Sequence, residues 1–310
     1  FTEDILPSLS LSMQLKSIDF DTKSDFQRVQ VVETGPFGKT LVLDSKTQSA
    51  LGDEMAYHES LVHPSLLLHP NPKTVYIGGG GELATAREIL KHTSVEKVVM
   101  VDIDAVVVEV CKEKLPEWND GSTEDPRLEL IIDDAKAYLE RYEGKFDVIV
   151  MDIADPIEAG PGIALYTAEF YAFVVSKLNP GGFFVTQSGP GSAFNANECF
   201  SVIYQTLKAS FDFVKPYTTD IPSFGSNWAF NMVGFSDPVA YLMDHPCKAV
   251  DDAISARLSR ACTPPFSARR PLRFLDGGAL KGIFGVPKTV KKVLEAETRV
   301  MTIANPVFMY

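Results

Sequence analysis

Val75-Tyr76-Ile77-Gly78-Gly79-Gly80-Gly81-Glu82-Leu83-Ala84 reads as a β-prone run delivered into a glycine turn, with a helical stretch beginning near residue 83. The spacing of Gly79, Gly81 and Ala84 satisfies G-x-G-x-x-A, in which small residues permit a tight turn and let a ligand approach the backbone closely. Further β-prone runs follow at 98–101, 128–132 and 146–151, with helical stretches between them at 104–115 and 134–142. Near-continuous apolar strands separated by helices predict a parallel sheet covered on both faces. Right-handed crossovers then make it a doubly wound α/β domain, Rossmann-like in plan.

Working outward, the pattern predicts a helix over 166–178, a strand over 182–186, a helix over 195–209 and two late strands at 211–217 and 228–235. Adjacent late strands without a helix between them predict an antiparallel hairpin at one edge of the sheet. Upstream, β-prone runs at 27–34 and 39–43 flank the turn signal Gly35-Pro36-Phe37-Gly38, so residues 1–60 read as a small N-terminal β-rich domain. Residues 61–240 form the catalytic domain. Residues 241–310 are rich in proline and basic residues, including Pro264-Pro265 and Arg269-Arg270, and read as an irregular extension packed on the core. No internal repeat or low-complexity tract interrupts this plan.

Forty-one acidic against 29 basic residues give a net charge of -12, which repels nucleic acid and anionic membranes and attracts small cations. The same charge also serves solubility. No apolar run approaches the roughly 20 residues of a membrane span. Cys111, Cys199, Cys247 and Cys262 are scattered without a Cys-x-x-Cys pair, the pattern of reduced thiols in a cytoplasmic protein and not of a disulfide framework or zinc site. No signal-like segment follows Phe1, and a transit peptide preceding it is not readable from this chain.

The candidate chemistry lies at the carboxyl ends of the predicted strands, where open α/β sheets bind ligands. Asp102 ends the second strand about 20 residues beyond the glycine turn, a position from which an acid accepts hydrogen bonds from ribose hydroxyls. Both dinucleotides and the adenosyl group of S-adenosylmethionine fit this geometry. Asp134, after the third strand, suits an adenine amino group, but Asp133 or Asp134 serves equally well as a helix N-cap. The fourth strand ends in Asp152-Ile153-Ala154-Asp155-Pro156. Two carboxylates so close can share one cleft if a cationic substrate offsets their repulsion, or they can simply stabilise a turn.

Taken together, Asp53-Glu54-Met55-Ala56-Tyr57-His58-Glu59, Gly79-Gly80-Gly81-Glu82, Arg87-Glu88, Ser24-Asp25-Phe26-Gln27 and Asp152-Ile153-Ala154-Asp155-Pro156 resemble the spermidine and spermine synthases. The resemblance runs from about residue 10 to residue 235. It implies a mostly parallel, seven-stranded catalytic sheet of the methyltransferase type and an aminopropyltransferase that uses decarboxylated S-adenosylmethionine as co-substrate, with no metal or other cofactor. By the same resemblance Gln27, Gln48, His58, Gly79, Gly81, Glu82, Asp102, Ile103, Asp134 and Ala135 line the donor site, Glu82 holding the donor amine. Asp152 is the general base, while Tyr57, Asp155, Tyr166 and Phe224 serve the polyamine acceptor. A homodimer or higher homo-oligomer, built partly through the β-rich domain, is also implied.

Several positions depart from the spermidine synthase pattern: Leu83-Ala84 for Gly-Gly, His58 for Gln, Ile153-Ala154 for Ser-Ser and Phe224 for Tyr. The strings Gln48-Ser49-Ala50, Tyr57-His58-Glu59-Ser60-Leu61-Val62-His63-Pro64, Thr85-Ala86-Arg87-Glu88, Leu165-Tyr166-Thr167 and Pro222-Ser223-Phe224 are similar to the thermospermine synthase branch of plants and algae, which extends spermidine. Leu83 stands where a smaller residue would leave more room near the donor, and His58 reads either as a donor-site hydrogen-bonding residue or as a packed aromatic. His63, His69, His92 and His245 show no ligand spacing. Spermine or spermidine synthesis, methyl transfer, a NAD oxidoreductase and a catalytically silent polyamine-binding protein are the competing readings.

Overall fold

The computed structural model describes residues 1–158, 160, 162–258 and 271–309. Its first six strands are β1 (Thr2–Leu6), β2 (Leu9–Ser12), β3 (Leu15–Lys23), β4 (Arg28–Thr34), β5 (Gly38–Leu43) and β6 (Lys46–Ala50). β1 and β2 form a hairpin, and β3 to β6 form a consecutive antiparallel sheet. Next come α1 (Glu54–Leu68), β7 (Thr74–Gly79), α2 (Ala84–Leu90), β8 (Lys97–Asp102), α3 (Ala105–Lys114), α4 (Pro116–Asn119), β9 (Leu128–Ile132), α5 (Ala135–Arg141) and β10 (Phe146–Asp152). They are followed by α6 (Ala168–Lys177), β11 (Leu178–Pro190), α7 (Phe200–Leu207), β12 (Phe213–Ile221) and β13 (Ser226–Gly234).

Seven strands make the central sheet in the order β12-β13-β11-β10-β7-β8-β9. β7 to β11 run parallel, and β13 lies antiparallel to both β11 and the edge strand β12, as the late hairpin signal predicts. The side-chain period of a strand divides the core between two faces. Val75 and Ile77 join Leu61 and Val62 of α1 and Ile89 of α2 on one side, whereas Tyr76 joins Leu139 of α5, Phe170 of α6 and Ile203 of α7 on the other.

α1 is the element whose type the local pattern hides. Twelve of its fifteen residues are buried, polar ones included, so no polar face marks it as a surface helix. The boundary expected at residue 60 falls inside it. Pro64 lacks the N–H that would satisfy the carbonyl of Ser60. The Tyr217 hydroxyl donates to that carbonyl at 2.9 Å, tying α1 to the sheet edge.

The segment after residue 240, expected to be irregular, instead contains α8 (Val239–Asp244), α9 (Cys247–Arg257), α10 (Gly277–Ile283) and α11 (Lys288–Ala296). These helices are short; α11 alone is clearly amphipathic, with Val290 and Leu294 buried four residues apart, while Val250, Ile254, Leu280 and Ile283 of α9 and α10 complete the core against α1. Cys262, Pro264, Pro265, Arg269 and Arg270 lie outside the described residues. Cys111, Cys199 and Cys247 are free thiols. No helix among the described residues is long and apolar enough to cross a membrane.

Candidate active site

Four strand ends and one side helix converge on a cavity of about 1040 Å³, part of it open to solvent. β7 supplies Gly79 to Glu82, β8 supplies Asp102 and Ile103, the end of β9 leads to Asp134 and Ala135, and β10 supplies Asp152. Gln27, Leu41, Leu43 and Gln48 close it from the N-terminal sheet, and Tyr57 enters from α1. Glycine is required at the turn. Gly79 has φ +82°, and a Cβ there would sit 2.2 Å from the Asp152 carbonyl oxygen. At Gly81 a Cβ would come within 3.0 Å of the Asp102 carboxylate.

A second cavity adjoins the first and shares Gln48, Tyr57, Ile153 and Ala154 with it. Its wall carries Glu3, Asp155 and Glu198, the apolar rings of Phe224 and Trp228, and Lys46. The rings of Phe224 and Trp228 meet edge-on at 4.7 Å. One Glu198 carboxylate oxygen is buried without a hydrogen-bond partner. Gln187 donates to Asp155 at 3.0 Å and to the Ile153 carbonyl at 2.8 Å, which fixes the loop after β10.

Asp152 lines the first cavity beside Tyr57, which both cavities share. Tyr57 donates to one of its oxygens at 2.7 Å and Thr85 to the other at 2.5 Å. Burial, with the Glu82 charge adding to it, pushes Asp152 up to about 6. Burial likewise pushes Asp102 and Asp155 up to about 7. These groups are poised to exchange protons near neutrality. The Tyr57 hydroxyl moves well above its ordinary range, so it stays a neutral donor.

Behind Glu82 stands a buried relay. His58 Nε2 lies 3.0 Å from Glu82 Oε1, and Nδ1 lies 3.0 Å from Glu54 Oε2. Burial alone would lower the imidazole, but hydrogen bonds to both carboxylates prevail and lift it to about 10. Donor atoms of His58, Glu82 and Asp152 fall within 4.8 Å of one another, a spacing open to a cation. An imidazolium with both nitrogens committed to carboxylates has no lone pair for a metal.

Residues 54–241 match the spermine/spermidine synthase domain, and residues 1–50 match the spermidine synthase tetramerisation domain. The chain belongs to the spermine/spermidine synthase family. It is 42% identical to thermospermine synthase ACAULIS5 of Arabidopsis thaliana over 100% of this chain and 87% of that relative. It is 41% identical to a polyamine aminopropyltransferase of Aeropyrum pernix, over 100% of this chain and 95% of the relative. A solved spermidine synthase in complex with the transition-state analogue AdoDATO superposes with a TM-score of 0.81 at 29% identity, covering 94% of this chain and 92% of that chain. The spermidine synthase of Thermotoga maritima superposes with a TM-score of 0.79 at 29% identity, covering 94% and 91%.

This aminopropyltransferase brings Gln27, Gln48, Gly79, Gly81, Glu82, Asp102, Ile103, Asp134, Ala135, Tyr57 and Asp152 to the first cavity, and Tyr57, Asp155 and Phe224 to the second. Three sequence expectations require correction. His58 is fully buried and does not line the donor cavity; it stands behind two residues that do, hydrogen-bonded to Glu82 and packed edge-on against the Tyr57 ring. Tyr166 is also fully buried; its hydroxyl donates to the Ala154 carbonyl at 3.2 Å and accepts from Gln187 at 2.7 Å, so it braces the loop and leaves the polyamine to others. Leu83 does not narrow the donor site. It packs into the core with φ +75°, a backbone conformation that glycine adopts without strain.

Asp134 proves to be the helix cap as well as a cavity residue. Its carboxylate accepts the Ala137 N–H at 2.7 Å, while Asp133 pairs with Arg141. Sequence reasoning missed Thr85, Gln187, Glu3, Glu198 and Trp228. Thr85 had a readable signal, being a hydroxyl one residue into the helix that follows the glycine turn. Glu3 and Glu198 had none, because only the fold carries β1 and the loop before α7 to the same cavity.

Proposed function

We propose that the enzyme transfers the aminopropyl group of decarboxylated S-adenosylmethionine to spermidine, yielding thermospermine and 5'-methylthioadenosine. The observation that carries this reading is the meeting of two cavities at Tyr57, whose hydroxyl donates to Asp152 on the wall of the first; the first suits a nucleoside and the second, with its carboxylates, a cation. Adenosine fits over the glycine turn, with Asp102 at the ribose and Asp134 near the base. Glu82 takes the donor amine. An ordinary methyl donor carries a carboxylate there, which Glu82 repels.

The acceptor nitrogen starts as an ammonium with a pKa near that of lysine, about 10, and must lose a proton to attack. Asp152 accepts that proton. The nitrogen then forms a bond to the aminopropyl carbon as the carbon–sulfur bond breaks and its electron pair returns to sulfur. The sulfonium is already a good leaving group, so positioning and charge supply the acceleration, without a metal or other cofactor. Asp155, Glu3 and Glu198 offer several carboxylates to an acceptor that keeps more than one positive charge, which supports a triamine over a diamine.

The similarity to a plant thermospermine synthase favours attack by the aminopropyl end of spermidine. Oligomerisation through residues 1–50 is part of the proposal, supported by the tetramerisation-domain match and by the exposed Leu15 and Ile18 of β3. The deciding experiment supplies decarboxylated S-adenosylmethionine with putrescine, spermidine or norspermidine, and resolves product isomers chromatographically. Thermospermine from spermidine is expected. Spermine as product would reassign the regiochemistry, putrescine as preferred acceptor would make the enzyme a spermidine synthase, and binding without turnover would leave a silent polyamine-binding protein.

A further inference from the structure

We propose that Glu54 is a positioning residue for the donor amine: through His58 it holds Glu82 aimed into the donor cavity, and Arg273 ties this control to the C-terminal segment. The proposal rests on the assignment of Glu82 to the donor amine. Glu82 lines the cavity, but its orientation is set from behind by His58 Nε2 at 3.0 Å. His58 makes no contact with the cavity of its own. Its other nitrogen is held by the Glu54 carboxylate and by the Glu54 carbonyl at 2.8 Å.

A histidine whose Nδ1–H is anchored on a carboxylate presents a defined second nitrogen, and an imidazolium between two carboxylates donates to both. Glu54 therefore decides whether Nε2 carries a proton toward Glu82. Glu54 is in turn fixed by two cations. Arg87 of α2 donates to Oε2 at 2.8 Å, and Arg273 pairs with Oε1. Arg273 is delivered by a backbone clamp, since the N–H groups of Arg273, Phe274 and Leu275 donate to Glu59 at 2.7, 2.9 and 2.8 Å. One turn of α1 thus connects a segment more than 200 residues away to the donor-binding carboxylate, with separations of 214 and 219 residues.

The charged groups facing His58 are Glu54 on its own helix, Glu82 after β7 and Asp152 at the end of β10; Arg87 and Arg273 reach it only through Glu54. Without the Glu54 charge the imidazolium loses one of two anions and its proton at lower pH. Glu82 would then face Asp102 and Asp152 without a cationic partner.

The test is a double-mutant cycle on the full-length enzyme with Glu54→Gln and His58→Gln, reading steady-state constants for each substrate. Glu54→Gln is expected to raise the donor KM about fivefold or more while kcat and the acceptor KM stay within about twofold. It should also add a fall in donor kcat/KM as pH rises, where the parent is flat. In the double variant the Glu54 substitution should add nothing beyond His58→Gln, because its action runs through the imidazole. Additive losses, or equal losses for donor and acceptor, overturn the relay. If Glu54→Gln does not fold, Arg273→Gln at the partly exposed end of the relay must raise the donor KM about threefold, with Arg273→Lys restoring it; an unchanged donor KM is equally fatal. Glu82→Gln separates the two levels: if it leaves donor selectivity unchanged, the donor-amine assignment fails, whereas an effect there with none at Glu54 refutes the relay alone.

Discussion

Asp152→Asn removes a charge that the fold holds at a disadvantage, so it should slow turnover and stabilise the protein. Asp152 is raised from 3.8 to about 6, which corresponds to about 3 kcal/mol. The sign follows from linkage. A carboxyl raised in the folded state favours folding while protonated below its unfolded value, and that contribution is lost as pH rises through about 6. At pH 7.5 the ionised group therefore destabilises the fold. Asparagine removes the charge at every pH. It keeps one acceptor oxygen for the Tyr57 or Thr85 hydroxyl and turns an NH₂ toward the other, a mismatch that takes back about 1–2 kcal/mol.

The net gain is about 1–2 kcal/mol, or a rise in Tm of roughly 2–6 °C for a chain of this size. Differential scanning fluorimetry at pH 7.5 and pH 4.5 checks it, because the gain should shrink as wild-type Asp152 becomes protonated. Turnover in the same variant should fall about a hundredfold or more, with donor binding largely kept. A variant no more stable than wild type at pH 7.5, or equally stabilised at both pH values, refutes the claim that burial of the ionised base strains the fold. Full activity would reject Asp152 as the base.

For the wild-type enzyme, kcat/KM for the acceptor should fall about tenfold per pH unit below about 6, as Asp152 takes up its proton, and a pH–rate profile without that acid limb excludes this assignment. Asp102→Asn should weaken donor binding by about 1–3 kcal/mol in calorimetry, since it removes the carboxylate charge and one acceptor oxygen at the ribose; unchanged affinity removes Asp102 from that role. Glu198→Gln should raise the spermidine KM about threefold or more with little change for putrescine, because the diamine is too short to need a distal carboxylate. Equal effects on both amines would place Glu198 outside acceptor recognition. Phe224→Tyr adds a hydroxyl to the acceptor wall and should shift the putrescine-to-spermidine ratio of kcat/KM toward putrescine; a constant ratio shows that Phe224 is not a determinant.

The parallel sheet was legible in sequence because strand and helix periodicity are local, and the edge hairpin because two β-prone runs lacked a helix between them. Asp102, Asp134, Asp152 and Asp155 were legible for a related reason. Open α/β sheets bind ligands at the carboxyl ends of their strands, so an acid at such an end declares its position once the strand is recognised. The residue strings around Glu82 and Asp152 added the chemistry. The helical character of α1 was not legible, since burial on every side leaves it no polar face to mark its period.

What only the tertiary structure decided are contacts between segments remote in sequence. The Tyr57 hydroxyl reaches Asp152 across 95 residues, and Glu59 holds the backbone of residues 273–275 across more than 200. Local propensity carries no information about which segments meet, so His58 and Tyr166 read as site-lining residues although both brace the wall from behind. Leu83 read as bulk near a ligand because a one-letter code does not show a positive φ or a side chain turned into the core. Glu3 and Glu198 lie far apart in the chain and belong to no motif. Folding puts them on one cavity because the β1 hairpin packs on β6 and the Gly225 turn while the loop before α7 packs on the end of β11, and that packing is a property of the whole chain.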